Sequence, residues 1–140
     1  MEQPNTERNK ELKVNARANR AENRITVSQV IEKLTNVLEI QETMLAALLR
    51  VTERTLPNWK NQKYLDNLTG KGRRLSALDF VVDEAIAAGI SGNRILDLLD
   101  EPFDNERDDS GCILNLIVQD QYAPASFNPL ILKQIKDFNS

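Results

Sequence analysis

The stretch from Glu42 to Asn61, ETMLAALLRVTERTLPNWKN, constrains the fold most, because its apolar residues recur at helical spacing on both sides of a short polar turn. Five of its apolar side chains can bury between two helices: Leu45, Leu49, Val51, Leu56 and Trp59. Ala46 is small enough for a second helix to cross closely. The sequence therefore predicts two short helices joined by a tight turn.

Two helices joined in this way form the helix-turn-helix of DNA-binding proteins. The run from Val51 to Leu56, with Trp59 behind it, resembles the recognition helix of the Xre/MbcA/ParS group of antitoxins. In the C-terminal half the order of parts is also similar to that group's toxin-binding domain: a long helix, the run 95–102, a loop and the apolar run 113–117. The resemblance implies a protein that represses its own operon and covers the active-site cleft of a RES-type toxin, which acts on NAD.

Arg50 and Pro57 favour the alternative, a helical interaction or scaffold protein whose helix-turn-helix no longer binds DNA. Arg50 occupies the turn position where glycine usually supplies a left-handed backbone, which costs roughly 1 kcal/mol for other residues. Pro57 lies in the middle of the second helix if Thr52 is its cap. Because proline is tolerated in a first turn, we predict instead a late start with Thr55 as the cap; a kinked helix remains the alternative.

The second helix carries side chains that suit a DNA groove. Arg54 can pair with guanine, and Asn58 and Asn61 can pair with adenine. Thr52, at the start of the same segment, is a further candidate DNA contact. The basic residues predicted to neutralise phosphates are Lys60, Lys63, Arg73 and Arg74. Double-stranded DNA is therefore the predicted partner.

The charge of the chain is segregated, although its net value is only -3. Residues 44–75 carry seven basic and two acidic side chains, net +5, whereas residues 76–140 carry four and twelve, net -8. Such a division indicates two surfaces with different partners. We predict a disordered or partly helical tail (1–24), a helix-turn-helix domain with a basic connector (25–72) and an acidic helical protein-interaction domain (73–140).

Capping signals place the other helices. Thr26 and Gln29 predict a capping box at the start of the first helix, and Ser76 with Asp79 gives a weaker start for the helix that Gly89 ends. Three later segments are apolar: 93–99, capped by Ser91; 112–118, where helix and strand both remain open and the all-helical context favours helix; and a last helix opening at 128–129.

The C-terminus holds more apolar side chains than a short last helix easily buries. They are Phe127, Leu130, Ile131, Ile135 and Phe138. Two interpretations remain open: a protein-interaction surface, for a toxin or within a homodimer, or packing of the last helix on its own core.

Composition argues against several other classes of protein. With no histidine and a single cysteine, a transition-metal site is not expected, and the apolar neighbours of Cys112 indicate a buried structural thiol. The acidic loop 101–110 lacks the spacing of a cation site or a catalytic carboxylate pair. No apolar run is long enough to span a membrane, and no signal peptide is evident. We expect an all-α, cytoplasmic, non-enzymatic protein without a cofactor.

Overall fold

The structure, a computed structural model, describes residues 24–103, 111–118 and 124–139, with side chains in the last range described from Asn128 onward. Within these residues the fold is all-α, as predicted, and contains no β-strand. The helices are α1 (Val27–Leu38), α2 (Glu42–Leu48), α3 (Thr55–Asn61), α4 (Arg73–Ala87), α5 (Gly92–Asp100), α6 (Ile113–Ile117) and α7 (Pro124–Phe138). Two short 3-10 turns, Leu65–Asn67 and Gly70–Gly72, lie between α3 and α4.

Helix α1 contacts four other helices: α2, α3, α4 and α5. Its predicted capping box is confirmed: Thr26 Oγ1 accepts the N–H of Gln29 at 3.1 Å, and the N–H of Thr26 donates to Gln29 Oε1 at 3.0 Å. The apolar face that follows is buried at Val27, Val30, Ile31, Leu34 and Leu38. Ile25, which precedes the cap, is half exposed.

The turn after α2 is a Schellman motif. The N–H of Arg50 donates to the carbonyl of Ala47, and the N–H of Val51 donates to the carbonyl of Ala46, both at 3.0 Å. Arg50 has φ 54°, so it keeps the left-handed backbone that glycine usually supplies. The turn therefore keeps its usual geometry, although the left-handed conformation is less favourable for an arginine than for a glycine.

Helix α3 begins late, as predicted, with Pro57 in its first turn. There the missing N–H is one of those that have no partner inside a helix, so Pro57 breaks no helical hydrogen bond. The predicted cap is one residue off, because Arg54 and not Thr55 occupies the N-cap position. Thr52 is not the cap either: its carbonyl accepts the N–H of Thr55 at 3.0 Å, which forms a turn that leads into α3.

The connector after α3 is fastened to the start of α1. The N–H of Val27 donates to the carbonyl of Lys63 at 2.8 Å, and the N–H of Leu65 donates to the carbonyl of Ile25 at 2.9 Å. Leu68 is buried and packs the connector against the core. The connector is therefore an ordered part of the fold.

Arg24, predicted to belong to the tail, is tied to the same connector. Its Nη2 lies 2.6 Å from Asp66 Oδ1, and its guanidinium lies 4.1 Å from the centroid of the Tyr64 ring. The folded part of the chain therefore begins no later than Arg24, and the rest of the predicted tail, residues 1–23, lies outside the described residues.

Helix α4 begins at Arg73, three residues before the predicted start at Ser76. The prediction was wrong because the turn Gly70–Gly72 runs directly into the helix, so that no side-chain cap is used. The predicted end is confirmed, since Gly89 follows the helix with φ 89°. Ile86, in the last turn of α4, is 46% exposed.

One hydrophobic cluster crosses the predicted domain boundary at residue 72. It joins Leu34 and Leu56 on one side to Val81, Leu98 and Ile117 on the other. At the contact of α1 with α5, a Cβ on Gly92 would collide with the backbone carbonyl of Val37, so only glycine allows this approach. The two predicted parts therefore share a single core.

An ion-pair cluster also joins α1 to α4. Lys33 Nζ contacts Asp79 Oδ1 and lies 2.7 Å from Asp83 Oδ1. Burial lowers the pKa of Lys33, but the hydrogen bonds and charges of the two carboxylates outweigh burial, and the pKa is raised above its usual value. The cluster therefore stabilises the charged form of Lys33.

The C-terminal segments complete the core. The apolar run near Cys112 is helical, so the favoured interpretation is confirmed for Ile113–Ile117; Cys112 itself precedes the helix and is only partly buried. Helix α7 starts at Pro124, earlier than the predicted opening at 128–129, and Pro129 lies inside it.

Candidate nucleic-acid interface

One side of helix α3 packs against the core, and the opposite side is exposed. Leu56 and Trp59 are buried, which agrees with the core role predicted for Trp59. Arg54, Asn58 and Asn61 are exposed and recur at the spacing of one helical face. Three of the predicted base-contacting residues are thus free to meet a ligand together.

Thr52 is also exposed, just before α3. Its Oγ1 lies 2.9 Å from Thr55 Oγ1, and either hydroxyl can donate in this pair. One lone pair of Thr52 remains available in either arrangement. Thr52 therefore lies just before α3, where its hydroxyl can still form a hydrogen bond with a ligand.

Lys60 already has a counter-ion. Its Nζ lies 3.1 Å and 3.2 Å from the two carboxylate oxygens of Glu42, at the start of α2. Both side chains are partly exposed, and such pairs contribute on the order of 0 to 1 kcal/mol. A phosphate can therefore replace Glu42 at little cost, but Lys60 is a weaker candidate than its charge suggests.

Lys63 and Arg73 are the more accessible candidates for phosphate contact. Both are exposed, one just after α3 and the other at the start of α4. Lys63 Nζ lies 5.1 Å from the centroid of the Tyr64 ring, a cation–π distance that leaves its ammonium in water. Arg50, predicted only as a turn residue, adds another exposed guanidinium to this region.

Arg74 is wrongly predicted as a phosphate contact. It is only 8% exposed, and its Nη1 donates to the carbonyl of Leu49 at 2.9 Å and to that of Arg50 at 3.4 Å. These carbonyls follow the last turn of α2, where a helix lacks internal hydrogen-bond partners and attracts positive charge. Sequence shows that such carbonyls need a donor, but only the fold shows that α4 begins beside them.

The predicted protein-interaction residues are mostly part of the core. Ile131 and Ile135 are 0% and 3% exposed, so a partner cannot reach them, and that part of the prediction is wrong. Leu130 and Phe138 are partly buried, and the Arg94 guanidinium lies 4.9 Å from the centroid of the Phe138 ring. The open alternative, a last helix packed on its own core, fits these residues; the Phe127 side chain lies outside the described residues.

Two apolar side chains that were not predicted as contacts are exposed in the C-terminal half. Leu132 on α7 is 44% exposed, and Ile86 on α4 is similarly exposed. The two helices pack on each other, and Leu132 lines a groove of about 490 Å³ between them. Leu132, the residue next to the buried Ile131, therefore lies on the exposed side of α7.

The described residues contain no group of three or more His, Cys, Asp or Glu side chains placed to hold a metal ion. Residues 104–110 of the predicted acidic loop lie outside the part of the chain that the structure describes. In that part, no helix is both long and apolar enough to cross a membrane.

Comparisons of the chain with protein-family models, with curated proteins and with solved structures gave no match. The resemblance to the Xre/MbcA/ParS antitoxins therefore stays a prediction.

Proposed function

We propose that the protein binds double-stranded DNA through the exposed side of α3 and regulates transcription. The observation that supports this most is the pairing of two features on one short helix. Leu56 and Trp59 fix α3 to the core, and Arg54, Asn58 and Asn61 line its opposite side. Arginine and asparagine are the side chains that pair bidentately with guanine and adenine in the major groove.

The surroundings of α3 support the same proposal. Lys63 and Arg73 are exposed and can position the helix by contacting phosphates, as can Lys60 once it leaves Glu42. Pro57 does not oppose this role, because in the first turn it leaves the helix intact and the N-terminal residues of a recognition helix are those that reach base edges.

The finer proposal is an autoregulatory antitoxin that acts in the cytoplasm as a homodimer and binds a toxin through its C-terminal half. Its support is the resemblance in sequence, together with the -8 charge of residues 76–140, which avoids DNA and suits a basic partner. Dimers of helix-turn-helix proteins bind paired half-sites one DNA turn apart, so the proposal implies a two-fold operator.

A mobility-shift assay on the DNA upstream of the protein's own gene tests the proposal. Arg54→Ala should weaken specific binding by about 1 to 3 kcal/mol and relax the preference at one base position. Arg94→Ala, which removes an exposed arginine from α5 instead, should bind like the wild type. Equal binding by the wild type and Arg54→Ala, or the same loss in Arg94→Ala, contradicts base recognition by α3.

Glu42→Gln provides a second test, in which DNA binding should become tighter and not weaker. The change frees Lys60 from its counter-ion without removing a possible hydrogen bond. Binding to every duplex should tighten, because a phosphate then meets an unpaired ammonium and no neighbouring carboxylate. Binding that does not tighten would place Lys60 and the start of α2 away from the DNA backbone.

A protein-interaction protein that does not bind DNA is the second candidate, favoured by the exposure of Ile86 and Leu132. Leu132→Asp should then abolish binding of a protein partner and leave the melting temperature unchanged. Removal of residues 128–140 should instead destabilise the whole protein, because it deletes the buried Ile131 and Ile135. Retained partner binding by Leu132→Asp argues against this surface.

A further inference from the structure

The turn between α2 and α3 is held by side chains that come from the other half of the chain. Arg74, at the start of α4, donates to the backbone of this turn. Asn115 of α6 accepts a hydrogen bond from the side chain of Arg50, which lies in the turn. The turn is the segment that sets the direction in which α3 leaves α2. Its contacts therefore bear on how α3 meets DNA.

Arg74 completes the hydrogen bonding of the turn. The Schellman bonds use the N–H groups of Arg50 and Val51 and leave the carbonyls of Leu49 and Arg50 facing outward from the helix end. Arg74 Nη1 donates to both of these carbonyls, at 2.9 Å and 3.4 Å. Because Arg74 is only 8% exposed, its guanidinium is shielded from water, which strengthens these two bonds to the turn.

The left-handed conformation of Arg50 increases the importance of these hydrogen bonds. A residue with a Cβ is unfavourable at φ 54°, so the turn would relax more readily if the bonds to its carbonyls were lost. The Arg50 side chain is held as well, since its Nη2 donates to Asn115 Oδ1 at 3.4 Å. Asn115 in turn packs over Gly111, where a Cβ would collide with its amide.

Little chain separates the held turn from α3. After Arg50 only Val51 precedes Thr52, whose carbonyl closes the turn that leads into α3. A shift of the Arg50 backbone is therefore passed on to the N-terminal residues of α3, among them Arg54. An arginine that recognises guanine forms two hydrogen bonds to the same base, so this contact is sensitive to a small change in the direction of the helix.

We propose that Arg74 is a positioning residue for DNA recognition: it fixes the α2–α3 turn so that the second half of the chain sets sequence specificity without touching DNA. The inference rests on the proposed DNA binding. It assigns to Arg74 a role different from that of its neighbour Arg73, which is exposed and placed to contact a phosphate.

Affinity measured against salt separates the two roles. Full-length wild type, Arg74→Met, Arg74→Lys and Arg73→Ala are titrated with the upstream duplex and with an unrelated duplex between about 50 and 200 mM salt. Arg74→Met should lose tenfold or more of its specific affinity, with about the same salt slope and the same affinity for the unrelated duplex. Arg73→Ala should weaken both duplexes and lower the slope by about one.

Arg74→Lys should recover part of the specific affinity, because an ammonium can donate to a carbonyl at the same place. A lower salt slope in Arg74→Met, with equal losses on both duplexes, would show that Arg74 contacts a phosphate and overturn the inference. Unchanged specific affinity in Arg74→Met would overturn it as well.

Amide hydrogen exchange tests the turn independently of DNA. In Arg74→Met the amides of Arg50 and Val51 should exchange at least tenfold faster than in the wild type, while those of α5 keep their rates. If the wild type binds no duplex, the proposed function fails, and this exchange result alone decides whether Arg74 holds the turn. Unchanged exchange at Arg50 and Val51 refutes that role. If Arg74→Met does not fold, the same exchange measurement is made on Arg74→Lys. The amides of Arg50 and Val51 should then exchange faster than in the wild type, and unchanged exchange rates contradict the role of Arg74.

Discussion

Replacing Lys33 by methionine tests the ion pair that joins α1 to α4. Asp79 is only 7% exposed, and Lys33 is the cation against its carboxylate. Removing one partner of a buried pair costs about 3 to 5 kcal/mol, because the other charge stays buried without compensation. The Lys33 side chain is 35% exposed, so water reaches the site, and we expect a smaller loss of about 2 to 3 kcal/mol.

Urea unfolding followed by circular dichroism measures this loss. Asp83→Asn is the matched control, since Asp83 also contacts Lys33 but is 58% exposed; its loss should stay below about 1 kcal/mol. The double variant Lys33→Met with Asp79→Asn should recover much of the stability, because no uncompensated charge then remains.

The pH dependence of the same cluster has a defined sign. The folded pKa of Lys33 is raised, so its contribution to stability is fully present below the unfolded pKa of about 10.4 and is lost as the pH rises through the folded value. Wild-type protein should therefore lose stability in this alkaline range, and Lys33→Met should lack that part of the loss. A Lys33→Met protein as stable as Asp83→Asn would refute the buried ion pair.

Three further changes test the packing around α3 and α5. Trp59→Ala should destabilise the protein by about 3 to 5 kcal/mol in the same urea assay, since it empties the buried side of α3; an unchanged melting curve with lost DNA binding would place Trp59 at the ligand instead. Gly92→Ala should cost about 1 to 3 kcal/mol, because the backbone carbonyl of Val37 cannot move aside, and a neutral effect contradicts this close approach. Arg50→Gly should raise stability by up to about 1 kcal/mol through relief of the left-handed backbone, and a loss greater than that of Asn115→Ala would show that the Arg50 side chain matters more than its backbone.

Local signals in the sequence predicted local structure well. The capping box of Thr26, the late start of α3 at Pro57 and the end of α4 at Gly89 all depend on residues within one or two helical turns. The all-α class followed from the same periodicity and caps. The start of α4 was misplaced because a 3-10 turn, and not a side chain, leads into that helix.

Predictions that depend on distant parts of the chain were less successful. Arg74 lies in a basic run and looks like a phosphate contact, but its partners are carbonyls 24 and 25 residues earlier in the sequence. Ile131 and Ile135 look in the sequence like more apolar residues than a short helix needs, but they are buried because the last helix packs on α4 and α5. In both cases the deciding neighbour comes from another element, which periodicity and spacing do not identify.

Titration of the protein with its own upstream duplex, followed by fluorescence anisotropy at several salt concentrations, tests whether α3 recognises DNA. Binding should be submicromolar at about 50 mM salt, with a log–log salt slope near -2.7 if Lys60, Lys63 and Arg73 each neutralise one phosphate. Arg54→Ala should weaken the upstream duplex about tenfold or more and leave the unrelated duplex unchanged. Binding no tighter than micromolar to any duplex at low salt would contradict DNA recognition by α3.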